Sequence, residues 1–127
     1  MFRKVDNGVI KVMILSEINI YPIKSLRGIT LQSAEIEDRG LRNDRRWMLV
    51  DEDDRFVTQR VLPKMALIDV AIDTRALSVS CDGFGAQKID LEPEGVVSRP
   101  VTVFSSTVPG EIYQGEVNEW FSDVLGK

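Results

Sequence analysis

The sequence predicts a mainly-β fold: a single β-barrel-like domain of about eight short strands with one C-terminal amphipathic α-helix. Short apolar runs recur between turn signals at close spacing along most of the chain, which is the pattern of small antiparallel strands. A 3.6-residue apolar period appears in one place, at the C-terminal end. Several of the strands are apolar on both faces, so the sheet must wrap onto itself or be covered by that helix, and a barrel does this better than a sandwich. At 127 residues the chain has room for one domain with a real core.

Taken in order, residues 1–13 read as an N-terminal extension and 14–127 as the domain. Ile14, Ile18 and Ile20 share one parity among polar neighbours, as in a half-buried strand. The strand leads into Tyr21-Pro22-Ile23-Lys24-Ser25-Leu26-Arg27-Gly28, where Pro22 removes a ladder donor and Gly28 permits a positive φ. Ile29 to Glu37 alternates with a phase slip at Ser33-Ala34, which predicts one strand with a central bulge. A polar turn is expected over Asp38 to Asp44, then a buried strand Trp47–Val50, joined by an acidic tip at Asp51–Asp54 to Phe56-Val57-Thr58. The four acids lack the glycine and distal glutamate of a calcium loop, and read as solvated turn residues.

Pro63 discourages a helix through Gln59–Lys64. Ile68, Val70 and Ile72 then form one face of a strand that pairs with Leu77–Val79 as a hairpin. Cys81 falls at the end of that second strand and reads as structural. Lys88–Leu91 and Val101–Phe104 complete the strands expected. In Glu116–Gly126 the apolar positions Val117, Trp120, Phe121, Val124 and Leu125 follow i, i+3, i+4, i+7, i+8, with acids in the first turn and Gly126 placed to end the helix.

Composition narrows the chemistry. The chain has no histidine and one cysteine, which excludes Ser–His and Cys–His catalysis, histidine metal sites and an internal disulfide. Its formal charge is -4, yet residues 1–64 carry twelve Lys/Arg against ten Asp/Glu while residues 65–127 carry four against ten. Nine of the basic residues lie between Pro22 and Lys64, so an anionic ligand is to be sought there. Overall acidity argues against nucleic acid as a partner. No run approaches the roughly 18 apolar residues of a membrane span, and no secretory signal is recognisable, so a cytoplasmic protein without a membrane partner is expected.

The turn at Lys24 is the chief candidate site. An ammonium, a hydroxyl and a guanidinium, from Lys24, Ser25 and Arg27, sit beside turn N–H groups and form a donor set suited to an oxyanion. Taken alone, a lysine and an arginine in a turn are more often solvated charges.

Tyr21-Pro22-Ile23-Lys24-Ser25, Gly40-Leu41 with Asp44-Arg45-Arg46-Trp47-Met48-Leu49-Val50-Asp51, Thr58-Gln59-Arg60 with Pro63, and Glu119-Trp120-Phe121-Ser122 with Leu125-Gly126 together resemble the N-terminal β-barrel domain of MOSC proteins. The resemblance runs from about Ile14 to Gly126, nearly the whole chain. It implies a barrel that accompanies a MOSC domain, in cis or in trans, in a molybdenum-cofactor oxidoreductase. It further implies that Lys24, Ser25 and Arg45 contact the anionic pterin phosphate, with Arg60 a further candidate. The metal-ligating cysteine of that family belongs to the MOSC domain and Cys81 does not match it. The isolated chain is therefore expected to be non-catalytic, with no cofactor of its own. The alternative is a stand-alone module for a small phosphorylated ligand or a protein partner.

Overall fold

The computed structural model describes residues 12–127, so the extension expected over 1–13 lies, apart from Val12 and Met13, outside the described residues. Strand β1 (Ile18–Ile20) pairs antiparallel with β2 (Ile29–Leu31), with Ile18 opposite Leu31 and Ile20 opposite Ile29. β3 (Ile36–Glu37) and β4 (Gly40–Leu41) form a small hairpin turned by Asp38 and Arg39. The phase slip at Ser33-Ala34 is thus a break between two strands rather than a bulge within one, and the polar turn is shorter than expected, because Gly40-Leu41 continues into a ladder.

The strand expected at Trp47–Val50 is replaced by isolated bridges, Ile23 with Trp47 and Val50 with Phe56. Its backbone groups are shared among several segments: the Trp47 N–H donates to the Pro22 carbonyl at 3.1 Å, the Trp47 carbonyl accepts from Lys24 at 2.9 Å, and the Leu49 carbonyl accepts from Val57 at 3.0 Å. No single partner strand runs alongside long enough to make a ladder. The acidic tip is a turn knit by Asp51, whose carboxylate accepts from the Asp53 and Arg55 N–H groups at 2.9 and 3.0 Å.

Pro63 opens a 3-10 helix, Pro63–Leu67, contrary to the expectation that it would discourage one. At the first helical position its missing N–H has no intrahelical partner to lose and its fixed φ suits the turn. This helix seats Met65 fully inside the core.

Three strands follow as an antiparallel meander, β5 (Asp69–Ile72), β6 (Ala76–Cys81) and β7 (Gly85–Asp90), with Val70 opposite Val79 and Ile72 opposite Leu77. β8 (Val97–Val103) and β9 (Ser106–Ile112) make a two-stranded ribbon in which Pro100 stands opposite Pro109. β9 was not expected from the sequence. The ribbon meets the rest of the domain through a bridge between Arg55 and Thr102. Helix α1 (Glu116–Leu125) ends at Gly126 with φ 70, the left-handed geometry foreseen for it. Among the described residues, nine strands, one short 3-10 helix and one α-helix thus make a mainly-β domain.

The core joins Ile23, Leu26, Met65, Ile68, Leu77, Val79, Cys81 and Ile89 to Phe121 and Val124 of α1. Ile23 and Leu26 belong to the basic turn itself, so the core grips that turn directly.

Candidate functional site

The turn owes its shape to a sandwich of apolar and polar residues. Pro22, Ile23 and Leu26 are buried, and the two residues between Ile23 and Leu26, Lys24 and Ser25, are left at the half-exposed surface. Burying three apolar neighbours supplies the driving force that presents the polar pair. Ser25 takes φ 70, and the Gln59 side-chain amide donates to its carbonyl at 2.7 Å, fixing a peptide that would otherwise favour other conformations.

A second segment is laced to this turn. The Arg45 N–H donates to the Tyr21 carbonyl at 2.7 Å, the Trp47 N–H to the Pro22 carbonyl, and the Lys24 N–H returns a bond to the Trp47 carbonyl. Asp44 adds a side-chain rung by accepting from the Tyr21 N–H at 2.8 Å. Arg45 has φ 50, so this loop also holds a side chain in the sparsely populated left-handed region. The segment is anchored at its far end by Trp47, whose indole N–H donates to the Tyr113 hydroxyl at 3.1 Å; that hydroxyl in turn donates to the Asp90 carbonyl at 2.9 Å. Burial pushes the Tyr113 pKa up, which keeps the hydroxyl protonated for that bond.

Backbone contact therefore brings Lys24, Ser25 and Arg45 into neighbouring segments, but the two cationic side chains have different company. The Lys24 ammonium lies 3.9 Å from the centre of the Phe56 ring and 4.6 Å from that of Phe104. Burial lowers its pKa from the ordinary lysine value. The Arg45 guanidinium lies over the Tyr21 ring at 5.1 Å and pairs with the Asp44 carboxylate at 2.6 Å. Among the described residues no carboxylate pairs with Lys24.

Arg27, the guanidinium of the donor set read from the turn, is engaged elsewhere. It donates to the Ala66 carbonyl at 3.0 Å and to Asp69 at 2.8 Å, bracing the turn against the 3-10 helix and β5. Gly28 also departs from expectation, because its φ is not positive. A Cβ there would stand 2.8 Å from the Tyr21 ring and 3.2 Å from the Ile20 carbonyl, so glycine is required by close approach and not by a left-handed turn. Arg60 braces neither of the acids near it in sequence: Asp44 is held by Arg45 and Tyr21, and Asp51 by its own turn.

Phe56, Phe104, Gln59 and Asp44 are the neighbours that reading the turn by itself missed. Asp44 and Gln59 stood inside the strings that carried the family resemblance, while nothing local in the sequence marks Phe104. An open depression of about 390 Å³ lies to one side, lined by Glu37, Asp38, Arg39 and Arg46. Its charges are balanced and Arg46 already pairs with Glu37 at 3.2 Å, so it gathers no positive potential of its own.

Comparison with known proteins places these features in a family. The description "MOSC N-terminal beta barrel domain" matches residues 12–127. Mitochondrial amidoxime reducing component 2 of Rattus norvegicus is 29% identical over 116 residues, covering 87% of this chain and 34% of that protein. Molybdenum cofactor sulfurase of Oryza sativa subsp. japonica is 30% identical over 117 residues, covering 89% of this chain and 14% of that protein. The chain thus spans about a third, or less, of the length of these curated relatives. The solution structure of a Bordetella bronchiseptica protein shares the fold with a TM-score of 0.56 at 20% identity, over 76% of this chain and 83% of that one.

Proposed function

Since the chain belongs to the MOSC N-terminal beta barrel domain family, we propose that it is the non-catalytic half of a molybdenum-cofactor protein, presenting Lys24, Ser25 and Arg45 to the anionic end of the cofactor. The observation that carries this reading is the backbone lacing of Tyr21–Lys24 to Arg45–Trp47, which sets an ammonium, a hydroxyl and a guanidinium on adjoining loops. Relatives named for amidoxime reduction and for molybdenum cofactor sulfuration support a cofactor of that kind.

The donor set fits an oxyanion. Lys24 is a point charge without a carboxylate partner among the described residues, Ser25 offers a hydroxyl, and Arg45 has a planar fork of which one arm is taken by Asp44. The residues do not fit the metal, because Cys81 is buried in the core and no cluster of three His, Cys, Asp or Glu occurs among the described residues. When bound, the cofactor supplies the redox chemistry, with its metal held by a MOSC domain in cis or in trans. The chain's own part is to bind and orient the anionic end: Lys24 supplies charge, Ser25 a hydrogen bond, and Arg45 direction. Rising pH removes the Lys24 charge earlier than for an ordinary lysine, because its pKa is lowered, so anion binding fades as pH rises through that lowered value.

Titrating the isotopically labelled chain with inorganic phosphate and with a pterin phosphate tests this directly. Amide shifts should be confined to the Lys24 and Arg45 loops, and Lys24→Gln and Arg45→Gln should each weaken binding about tenfold, the loss of one charge-assisted hydrogen bond. Arg45 is exposed in its pair with the half-buried Asp44, and Asp44 keeps its bond from the Tyr21 N–H without it; the pair contributes about 0 to 1 kcal/mol to folding, so Arg45→Gln should leave the denaturation midpoint nearly unchanged. A titration that moves no amide near Lys24 or Arg45 removes the site.

A further inference from the structure

We propose that Phe56 and Phe104 are positioning residues for Lys24, their rings holding its ammonium in place for an incoming phosphate-type oxyanion without cancelling its charge. The inference rests on the anion-binding reading of the turn and deepens it.

The three groups touch one another. The ammonium is 3.9 Å from the Phe56 centroid and 4.6 Å from the Phe104 centroid, and the two rings are 4.7 Å apart at 54°. The segments that carry the rings are themselves locked, since Phe56 donates its N–H to the Thr102 carbonyl at 3.1 Å and Thr102 donates to the Asp54 carbonyl at 2.9 Å. A lysine on a four-carbon stem is thereby given one place to stand.

Phe104 is not where it is for the sake of the core. It occupies the two-residue connection between β8 and β9 with φ 55 and remains 76% exposed. A bulky side chain is disfavoured in that conformation, and an exposed ring gains little from burial. Glycine or asparagine would make the turn more easily. What the ring does touch is Phe56 and Lys24.

The kind of contact matters. Arg27, Arg42, Arg45, Arg46 and Arg99 each pair with a carboxylate, which offsets part of the charge they present to a ligand. An aromatic face attracts a cation through its quadrupole and carries no net charge, so a caged ammonium keeps its full charge for an anion. Among these cations, Lys24 combines a fixed position with an unspent charge.

The test uses the full 127-residue chain, with inorganic phosphate as probe and two readouts, the phosphate dissociation constant and the ring-current shift of the Lys24 ε-methylene protons. In the unaltered chain those protons should resonate well upfield of an ordinary lysine. Phe104→Leu keeps an apolar side chain but removes the π face. It should abolish Phe104's share of that shift and weaken phosphate binding about three- to tenfold, the scale of one cation–aromatic contact. Phe104→Tyr should restore both. Phe104→Gly should weaken phosphate to the same degree while leaving the thermal midpoint unchanged or higher, because it relieves the backbone, a split that a purely structural role does not produce. Phosphate binding that survives undiminished in Phe104→Leu and Phe104→Gly overturns the positioning role alone. A parent chain whose Lys24 and Arg45 amides ignore phosphate overturns both this inference and the reading beneath it.

Discussion

Gly28 shows how one residue sets the limits of the site. Its absent side chain lets the Tyr21 ring lie against the backbone, and that ring is the floor on which the Arg45 guanidinium rests. Gly28→Ala should destabilise the fold by about 1 to 3 kcal/mol through overpacking. The loss should shrink in a Tyr21→Ala background, because the closest atoms a new methyl meets belong to that ring. Urea denaturation of the two single variants and the double variant measures the coupling, and equal losses in both backgrounds would trace the effect to backbone conformation instead. The sequence marked Gly28 as special but attached the wrong reason, since a glycine needed for close approach and one needed for positive φ look alike until the neighbour is known. Lys24 and Ser25 were readable because Pro22, Ile23 and Leu26 beside them are apolar and had to go inside. Phe104 was not, because its partners lie far away along the chain.

At the scale of elements, what could be read depended on whether a segment's partner was local. The meander β5–β6 and helix α1 are specified by their own periodicity, so Val70 opposite Val79 and the Val117-to-Leu125 stripe follow from the sequence directly. β9 escaped notice because Pro109 and Gly110 sit in its middle, and proline ordinarily demotes a run from strand status. The two-stranded ribbon tolerates it because Pro109 faces Pro100, so the missing donors fall together. Trp47–Val50 erred in the other direction, an apolar run whose backbone bonds are divided among different loops. Helix α1 makes the energetic prediction here. Phe121 is only 8% exposed, stacks edge-on against Trp120 at 5.1 Å and belongs to the core with Val124. Phe121→Ala should therefore cost about 3 to 5 kcal/mol. Trp120 is tethered separately, by its indole N–H donating to the Phe84 carbonyl at 3.0 Å. An unchanged denaturation midpoint for Phe121→Ala would mean that the helix is not part of the core.

Across the whole molecule, charge and packing divide the labour between the two halves of the chain. The second half supplies most of the core strands and the helix, while the first carries most of the cations and the loops that display them. The buried face of the Lys24 turn meets that core, which holds the loops; their polar face is open. An open face is one wall of a site, whereas ligand pockets enclose most of a cofactor-sized molecule, about 70–90% of its surface. Under the proposed function a wall of this kind binds an anion loosely, and a MOSC domain would supply the rest of the enclosure. The donor inventory points the same way: there is no histidine, and the one cysteine is buried in the core. A soft metal needs thiolate or imidazole within reach. Chains of these 127 residues, expressed alone in cells that make molybdenum cofactor, should therefore be purified without stoichiometric molybdenum and should reduce no N-hydroxylated substrate, while still shifting the Lys24 and Arg45 amides with phosphate. Elemental analysis of the purified chain decides the first point, and molybdenum near one atom per chain would show that this domain holds the metal by itself.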